Sequence, residues 1–182
     1  MLEIRWHGRG GQGSFTVARL LGMAASVYGD KFAQAFPSFG PERRGAPVLG
    51  FTRIDDKKIT DRSEVDECDY VVVLDETLWG PSVLSGLKEN TIIIINTDSK
   101  EKYINQVQNK VVCFNATSLA IEYLNRPITN TAMMAVLVGV SEIVSIDNCK
   151  KAIKESMNQK IADKNVLLID KVYQMVKEEI NG

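Results

Sequence analysis

A chain of 182 residues with 45% hydrophobic content is long enough to bury one substantial core, and a single α/β domain spanning residues 1–182 is expected. Its 22 basic and 23 acidic side chains nearly cancel, which excludes a global positive field that would gather nucleic acid or anionic lipid, so any anion site must be local. The N-terminal MLEIRWHGRG lacks the pattern of a secretory signal, and no apolar run approaches the roughly 20 residues of a membrane span, so a cytoplasmic protein with no membrane partner is expected.

Leu2 to His7 predicts a strand that runs into Gly8. From Ser14 to Tyr28 the apolar residues Phe15, Ala18, Leu20, Leu21 and Ala25 recur at helical spacing, which makes strand, glycine loop and helix in succession. Gly29 and Asp30 punctuate that helix, and Lys31 to Phe36 predicts a short second strand. An irregular stretch follows, and Val48 to Ile54 and Lys58 to Thr60 then flank Asp55-Asp56-Lys57 as an inserted antiparallel hairpin would.

Three later runs, Tyr70 to Leu74, Thr91 to Asn96 and Lys110 to Phe114, are short, β-branched and separated by helix-like segments, as buried parallel strands are. Strands alternating with helices predict a doubly wound, mostly parallel, Rossmann-like three-layer α/β sheet. Thr131 to Val144 is apolar on nearly every face and predicts a helix buried between layers or against another chain. The tail from Asn165 to Ile180 places Val166, Ile169, Val172, Val176 and Ile180 on one stripe, a surface helix docked by one face.

Gly8-Arg9-Gly10-Gly11-Gln12-Gly13 satisfies GxGxxG at a strand-to-helix junction. Glycines there let backbone N–H groups approach an anion, and the helix N-terminus adds unpaired donors and partial positive charge. A dinucleotide site also needs an acid at the end of the second strand to hold ribose hydroxyls, and Gln34 to Ser38 contains none. Close packing of helix on strand, or against a partner subunit, explains the same glycines.

The stretch from Phe36 to Pro47 holds three of the five prolines, with Arg43 and Arg44 side by side. Emerging after the second strand, it is expected at the same sheet edge as the glycine loop, where the paired guanidinium groups can fork onto carboxylate or phosphate. His7, the one histidine, has no partner at a motif spacing, so a hydrogen-bonded structural role is expected. Cys68, Cys113 and Cys149 are scattered and form no CxxC pair, so neither an iron–sulfur nor a zinc site is expected in this chain.

Taken in order, HGRGGQG after the first strand, QAFPSFGPERRGAP after the second, VVVLDETL at the next major strand and Arg126-Pro127-Ile128-Thr129-Asn130-Thr131 before the apolar helix resemble the gamma subunit of pyruvate:ferredoxin oxidoreductase. The resemblance runs through essentially the whole chain. It implies a share in oxidative decarboxylation, in which a 2-oxoacid and coenzyme A yield acyl-CoA, carbon dioxide and reduced ferredoxin. It also implies that thiamine diphosphate, Mg2+ and [4Fe-4S] clusters sit in alpha-, beta- and delta-type sister subunits, with ferredoxin or flavodoxin meeting the complex and this chain inactive alone.

By the same resemblance, the chain helps enclose coenzyme A with Gly8, Arg9, Gly10, Gly11, Gln12, Gly13, Arg43 and Arg44, and supplies no catalytic or metal-binding residue. The proline loop is more similar to pyruvate-type subunits than to the 2-oxoglutarate type, with branched 2-oxoacids such as 2-oxoisovalerate next. Ile128 departs from the asparagine or glycine that the family often places there, which speaks against a polar role for that turn. The alternative is a free-standing dinucleotide- or small-molecule-binding Rossmann-like module.

Overall fold

The computed structural model describes residues 1–38 and 45–181. In chain order the strands are β1 (Leu2–Arg9), β2 (Phe32–Pro37), β3 (Pro47–Asp55), β4 (Cys68–Val73), β5 (Leu87–Asn96) and β6 (Lys110–Phe114). The helices are α1 (Ser14–Ser26), α2 (Pro81–Leu84), α3 (Glu101–Ile104), α4 (Ala116–Leu124), α5 (Asn130–Ser141), α6 (Ile146–Ser156) and α7 (Gln159–Asn181), with a 3-10 turn at Glu76–Leu78. One sheet contains all six strands in the order β2-β3-β1-β4-β5-β6.

Strands β1, β4, β5 and β6 are mutually parallel, as the β-branched runs of the last three predicted. β3 is antiparallel to both β1 and β2, so β1 and β2 point the same way and end at the same sheet edge. The expected hairpin therefore exists in a different form. Residues 58–60 form no strand; Val48 to Ile54 pairs instead with β1 and β2, and the Ile59 carbonyl accepts from Gln34 Nε2 at 3.2 Å. Two long ladders hold β3 better than a three-residue return strand would.

Side-chain alternation divides the core. Ile4, Trp6, Val72, Leu74 and Ile94 face α1 and the helices from α4 onward, while Val71, Val73, Ile93 and Ile95 face a thinner layer that includes Val83 of α2 and Tyr103 of α3. α5 is buried from Asn130 to Gly139 and packs on α7, so its apolar faces are satisfied within the chain. It stops at Ser141 because Glu142 turns left-handed at φ 55°, three residues before the predicted end.

Side-chain caps explain two helices that periodicity left unbounded: Asn115 accepts from Ser118 N–H to start α4, and Ser145 accepts from Asn148 N–H to start α6. No described helix is long and apolar enough to cross a membrane.

On the thin side of the sheet, Arg5 and His7 are only 4% and 2% exposed. His7 Nε2 accepts from Arg5 Nε at 2.9 Å, and Arg5 Nη2 donates to the carbonyls of Val83 and Ser85 at 3.1 and 2.6 Å. Burial first, and the Arg5 charge second, push the His7 pKa down to about 3. The imidazole is thus a neutral acceptor that holds a buried guanidinium, the structural role its sequence context predicted.

Between pH 6.5 and 3 the unfolded chain binds a proton at His7 that the folded chain refuses, so stability falls as pH falls through that window. Going from pH 7 to 5, this group should cost about 2 kcal/mol. Urea unfolding of the wild type and of His7→Gln at both pH values measures it; equal losses in the two proteins would remove His7 as the cause.

Candidate functional site

The turn from β1 into α1 is stitched shut by its own polar groups. Gln12 Oε1 accepts the Arg9 N–H at 2.7 Å, and the Gln12 N–H returns to the Arg9 carbonyl at 2.9 Å. Gly10 N–H donates to Ala46 O at 2.8 Å, and Arg9 Nη1 donates to Gly45 O at 3.1 Å, so the return arm of the proline loop lies directly on the glycine loop. The expected meeting of the two loops at one sheet edge holds for their described parts. Arg43 and Arg44 lie outside the described residues.

Gly13 caps α1 at φ 80°, a left-handed conformation that favours glycine, and a Cβ there would come within 2.5 Å of Asn130 Nδ2. Asn130, at the head of α5, donates that amide to the Gly13 carbonyl at 3.3 Å. At Gly8 a Cβ would strike Ser14 Oγ at 2.3 Å, so this glycine admits the serine side chain.

Ser14 is 1% exposed and its Oγ has no hydrogen-bond partner among the described residues. The first turn of α1 carries no acid and no side-chain cap, and the N–H groups of Gly11 and Gly13 find no partner among the described residues. The geometry offers the N–H groups of Gly11 and Gly13 and the start of α1 to an anion, while the Ser14 hydroxyl is buried beneath them.

The acid that the linear sequence lacked after β2 stands after β4, the parallel neighbour of β1. Asp75 Oδ2 accepts from Gln12 Nε2 at 2.9 Å and lies 3.3 Å from Arg9 Nε, while its Oδ1 accepts from Thr77 Oγ1 at 2.6 Å and Thr77 N–H at 3.0 Å. Burial alone would raise this carboxyl; the bonds from Thr77 and Gln12, with the Arg9 charge, outweigh it and hold Asp75 below its ordinary value. Asp75 is therefore committed to bracing the glycine loop.

Beside it a crevice of about 480 Å3 follows the C-terminal ends of the parallel strands, with Asp75, Glu76, Asn96, Thr97, Asp98 and Thr117 in its wall and no lysine or arginine. The edge thus sets N–H donors at the loop beside a crevice of carboxylates, hydroxyls and amides. Asp75 and Asn130 lie in stretches that carry the family resemblance, but no fixed spacing ties them or Ser14 to the glycines, so the sequence did not mark them as site residues. The Asp75-Glu76-Thr77 turn carries the one local signal, a carboxylate two residues before a hydroxyl.

Residues 3–175 match the family model of pyruvate ferredoxin/flavodoxin oxidoreductase. The chain belongs to that family. It is 47% identical to the pyruvate synthase subunit PorC of Methanocaldococcus jannaschii, over 98% of this chain and 99% of that one. It is 45% identical to the pyruvate/ketoisovalerate oxidoreductases common subunit gamma of Pyrococcus abyssi, over 91% of each chain.

The crystal structure of the pyruvate oxidoreductase subunit PORC of Thermotoga maritima superposes with a TM-score of 0.83 at 36% identity, over 95% of each chain. The fold alone is shared with 2-oxoglutarate:ferredoxin oxidoreductase from Magnetococcus marinus, solved with 2-oxoglutarate, coenzyme A and succinyl-CoA bound. That match has a TM-score of 0.76 at 16% identity and covers 98% of this chain but 31% of the other.

In this member of the pyruvate ferredoxin/flavodoxin oxidoreductase family the three cysteines are free thiols. Cys68 and Cys149 are buried and Cys113 is half-buried, and burial pushes Cys149 up to about 12, far from a reactive thiolate. Among the described residues no group of three or more His, Cys, Asp and Glu is placed to hold a metal ion.

The orphan hydroxyl of Ser14 makes a sharp stability test. A buried unsatisfied group costs about 1–3 kcal/mol, so Ser14→Ala should leave folding stability unchanged or raise it within that range. Urea denaturation at pH 7 measures this, and a loss above about 1 kcal/mol would show that Oγ has a partner in the folded chain.

Proposed function

We propose that this chain serves as the gamma subunit of a pyruvate or related 2-oxoacid:ferredoxin oxidoreductase, and that its glycine loop and Arg43 and Arg44 take part in enclosing coenzyme A. The reaction assigned to the assembly joins a 2-oxoacid and coenzyme A, releases carbon dioxide, and passes two electrons to two oxidised ferredoxins, leaving acyl-CoA and one proton. Thiamine diphosphate, Mg2+ and the [4Fe-4S] clusters are then held by alpha-, beta- and delta-type partners, and ferredoxin or flavodoxin meets the complex in the cytoplasm.

The observation that carries this reading is the end-to-end match to a pyruvate synthase subunit at 47% identity, which leaves no part of that subunit unaccounted for beyond 1% of its length. The site chemistry supports the coenzyme A part. The uncapped start of α1 and the N–H groups of Gly11 and Gly13, unpaired among the described residues, suit a diphosphate, and the acidic crevice beside them suits ribose hydroxyls and amide N–H groups. Coenzyme A presents both. Because a relative of this chain is common to pyruvate and ketoisovalerate enzymes, the choice of oxoacid is assigned to the thiamine-bearing partners rather than to residues here.

Titration of coenzyme A into the reconstituted assembly tests the site. Arg43→Ala and Arg44→Ala should each cost roughly 1.5–3 kcal/mol of binding, about one to two decades in affinity. Unchanged affinity in both would remove the arginines from the site. A free-standing dinucleotide enzyme is the competing reading, and it is disfavoured because Asp75 is already engaged by Gln12 and Thr77. NAD and FAD should therefore leave the melting temperature of the isolated chain unchanged; a saturable rise with either would reverse the preference.

A further inference from the structure

On the helical side of the molecule the end of α4, the turn leading into α5 and the first turns of α7 enclose a groove of about 610 Å3. Its floor is apolar, formed by Leu124, Ile128 and Ile161, and its rim carries Arg126, Lys160 and Lys164 with no aspartate or glutamate in the lining. None of these three cations forms an ion pair among the described residues. In a chain whose net charge is −1, such an unmatched basic rim is a local surplus.

The apolar part is equally uncovered. Ile128 is 40% exposed and Ile161 50%, and Leu167, 59% exposed, continues the Lys160–Lys164 stripe of α7 about two turns from its start. Two buried amides close the floor, Asn130 and Asn165. Each donates one amide hydrogen, to Gly13 O and Ile161 O, and keeps a second with no acceptor among the described residues. The two spare amide hydrogens and the three cations all call for an acceptor or an anion.

We infer that the groove is the docking site of an acidic segment of a sister subunit, a stretch whose carboxylates meet Arg126, Lys160 and Lys164 while apolar side chains seat on Leu124, Ile128 and Ile161. A polypeptide fits better than a small anion because Leu167 adds a further exposed apolar side chain beyond the groove, on the Lys160–Lys164 face of α7 roughly 10 Å from Lys160 along the helix. Covering exposed isoleucines supplies the affinity, and charge complementarity supplies register and salt dependence. The inference rests on the chain's place in an assembly and is independent of what the glycine loop binds.

The test assembles the complex from separately purified subunits and measures the affinity of this full chain for the remainder at low and high salt. Lys160→Glu/Lys164→Glu should weaken assembly by at least about 30-fold at low salt, and the salt dependence seen with wild type should shrink in the variant. Ile161→Ser, which leaves charge untouched, should weaken it at both salt concentrations. A charge-matched control, Lys57→Glu/Lys58→Glu beyond the end of β3 at the opposite sheet edge, should stay within about twofold of wild type. Unaltered melting temperatures of the isolated variants establish that they fold.

Wild-type affinity in both groove variants would overturn the inference, and so would an equal loss in the control. A third result would overturn it in favour of a small-ligand pocket: octanoate, but not octanol, stabilising the isolated wild-type chain and not the Lys160→Glu/Lys164→Glu variant, with assembly unaffected.

Discussion

Strand β1 is held on both flanks, by eight successive register partners on β3 and four on β4, and the functional edge of the molecule depends on that double ladder. Because β3 runs opposite to β1 and β2, β2 ends and β3 begins at the edge where β1 delivers the glycine loop. Backbone bonds between Gly10 and the 45–46 segment then join the two loops. The alternation along β1 does the rest, sending Ile4 and Trp6 into the larger core and Arg5 and His7 into the thinner layer.

Charge is arranged by sign around this edge. The glycine loop and the start of α1 present N–H donors, and the crevice next to them presents carboxylates and side-chain hydroxyl and amide groups. Asp75 stands between the two, pinned by Gln12 and Thr77, and keeps the loop in shape instead of offering a lone carboxylate to a ribose. On the helical side, Asn130 belongs both to the basic groove and to the anchoring of Gly13, so the two regions share one buried amide.

Periodicity and punctuation made much of this legible beforehand. The parallel strands at Tyr70, Thr91 and Lys110, the helix after Gly13 and the buried helix before Glu142 follow from β-branched runs and apolar spacing, which are local properties. The hairpin was misplaced because a run such as Val48 to Ile54 signals a strand without signalling its neighbour, and residues 58–60 were nearer in sequence than β1. Helix α7 begins earlier than its apolar stripe, at Gln159, where Lys160 and Ile161 are exposed and only the small Ala162 enters the core.

By itself the sequence determined the fold class, the presence of a glycine turn at a strand-to-helix junction and the resemblance to a gamma-type oxidoreductase subunit, because each is carried by residues close together in the chain. Tertiary structure alone decided that an acid braces the loop, that a buried serine hydroxyl has no partner among the described residues, and that Asn130 reaches Gly13 across 117 residues. It also decided that scattered cations gather around an apolar groove. Strand order and helix docking bring such groups together, and neither is written in the spacing of any single segment.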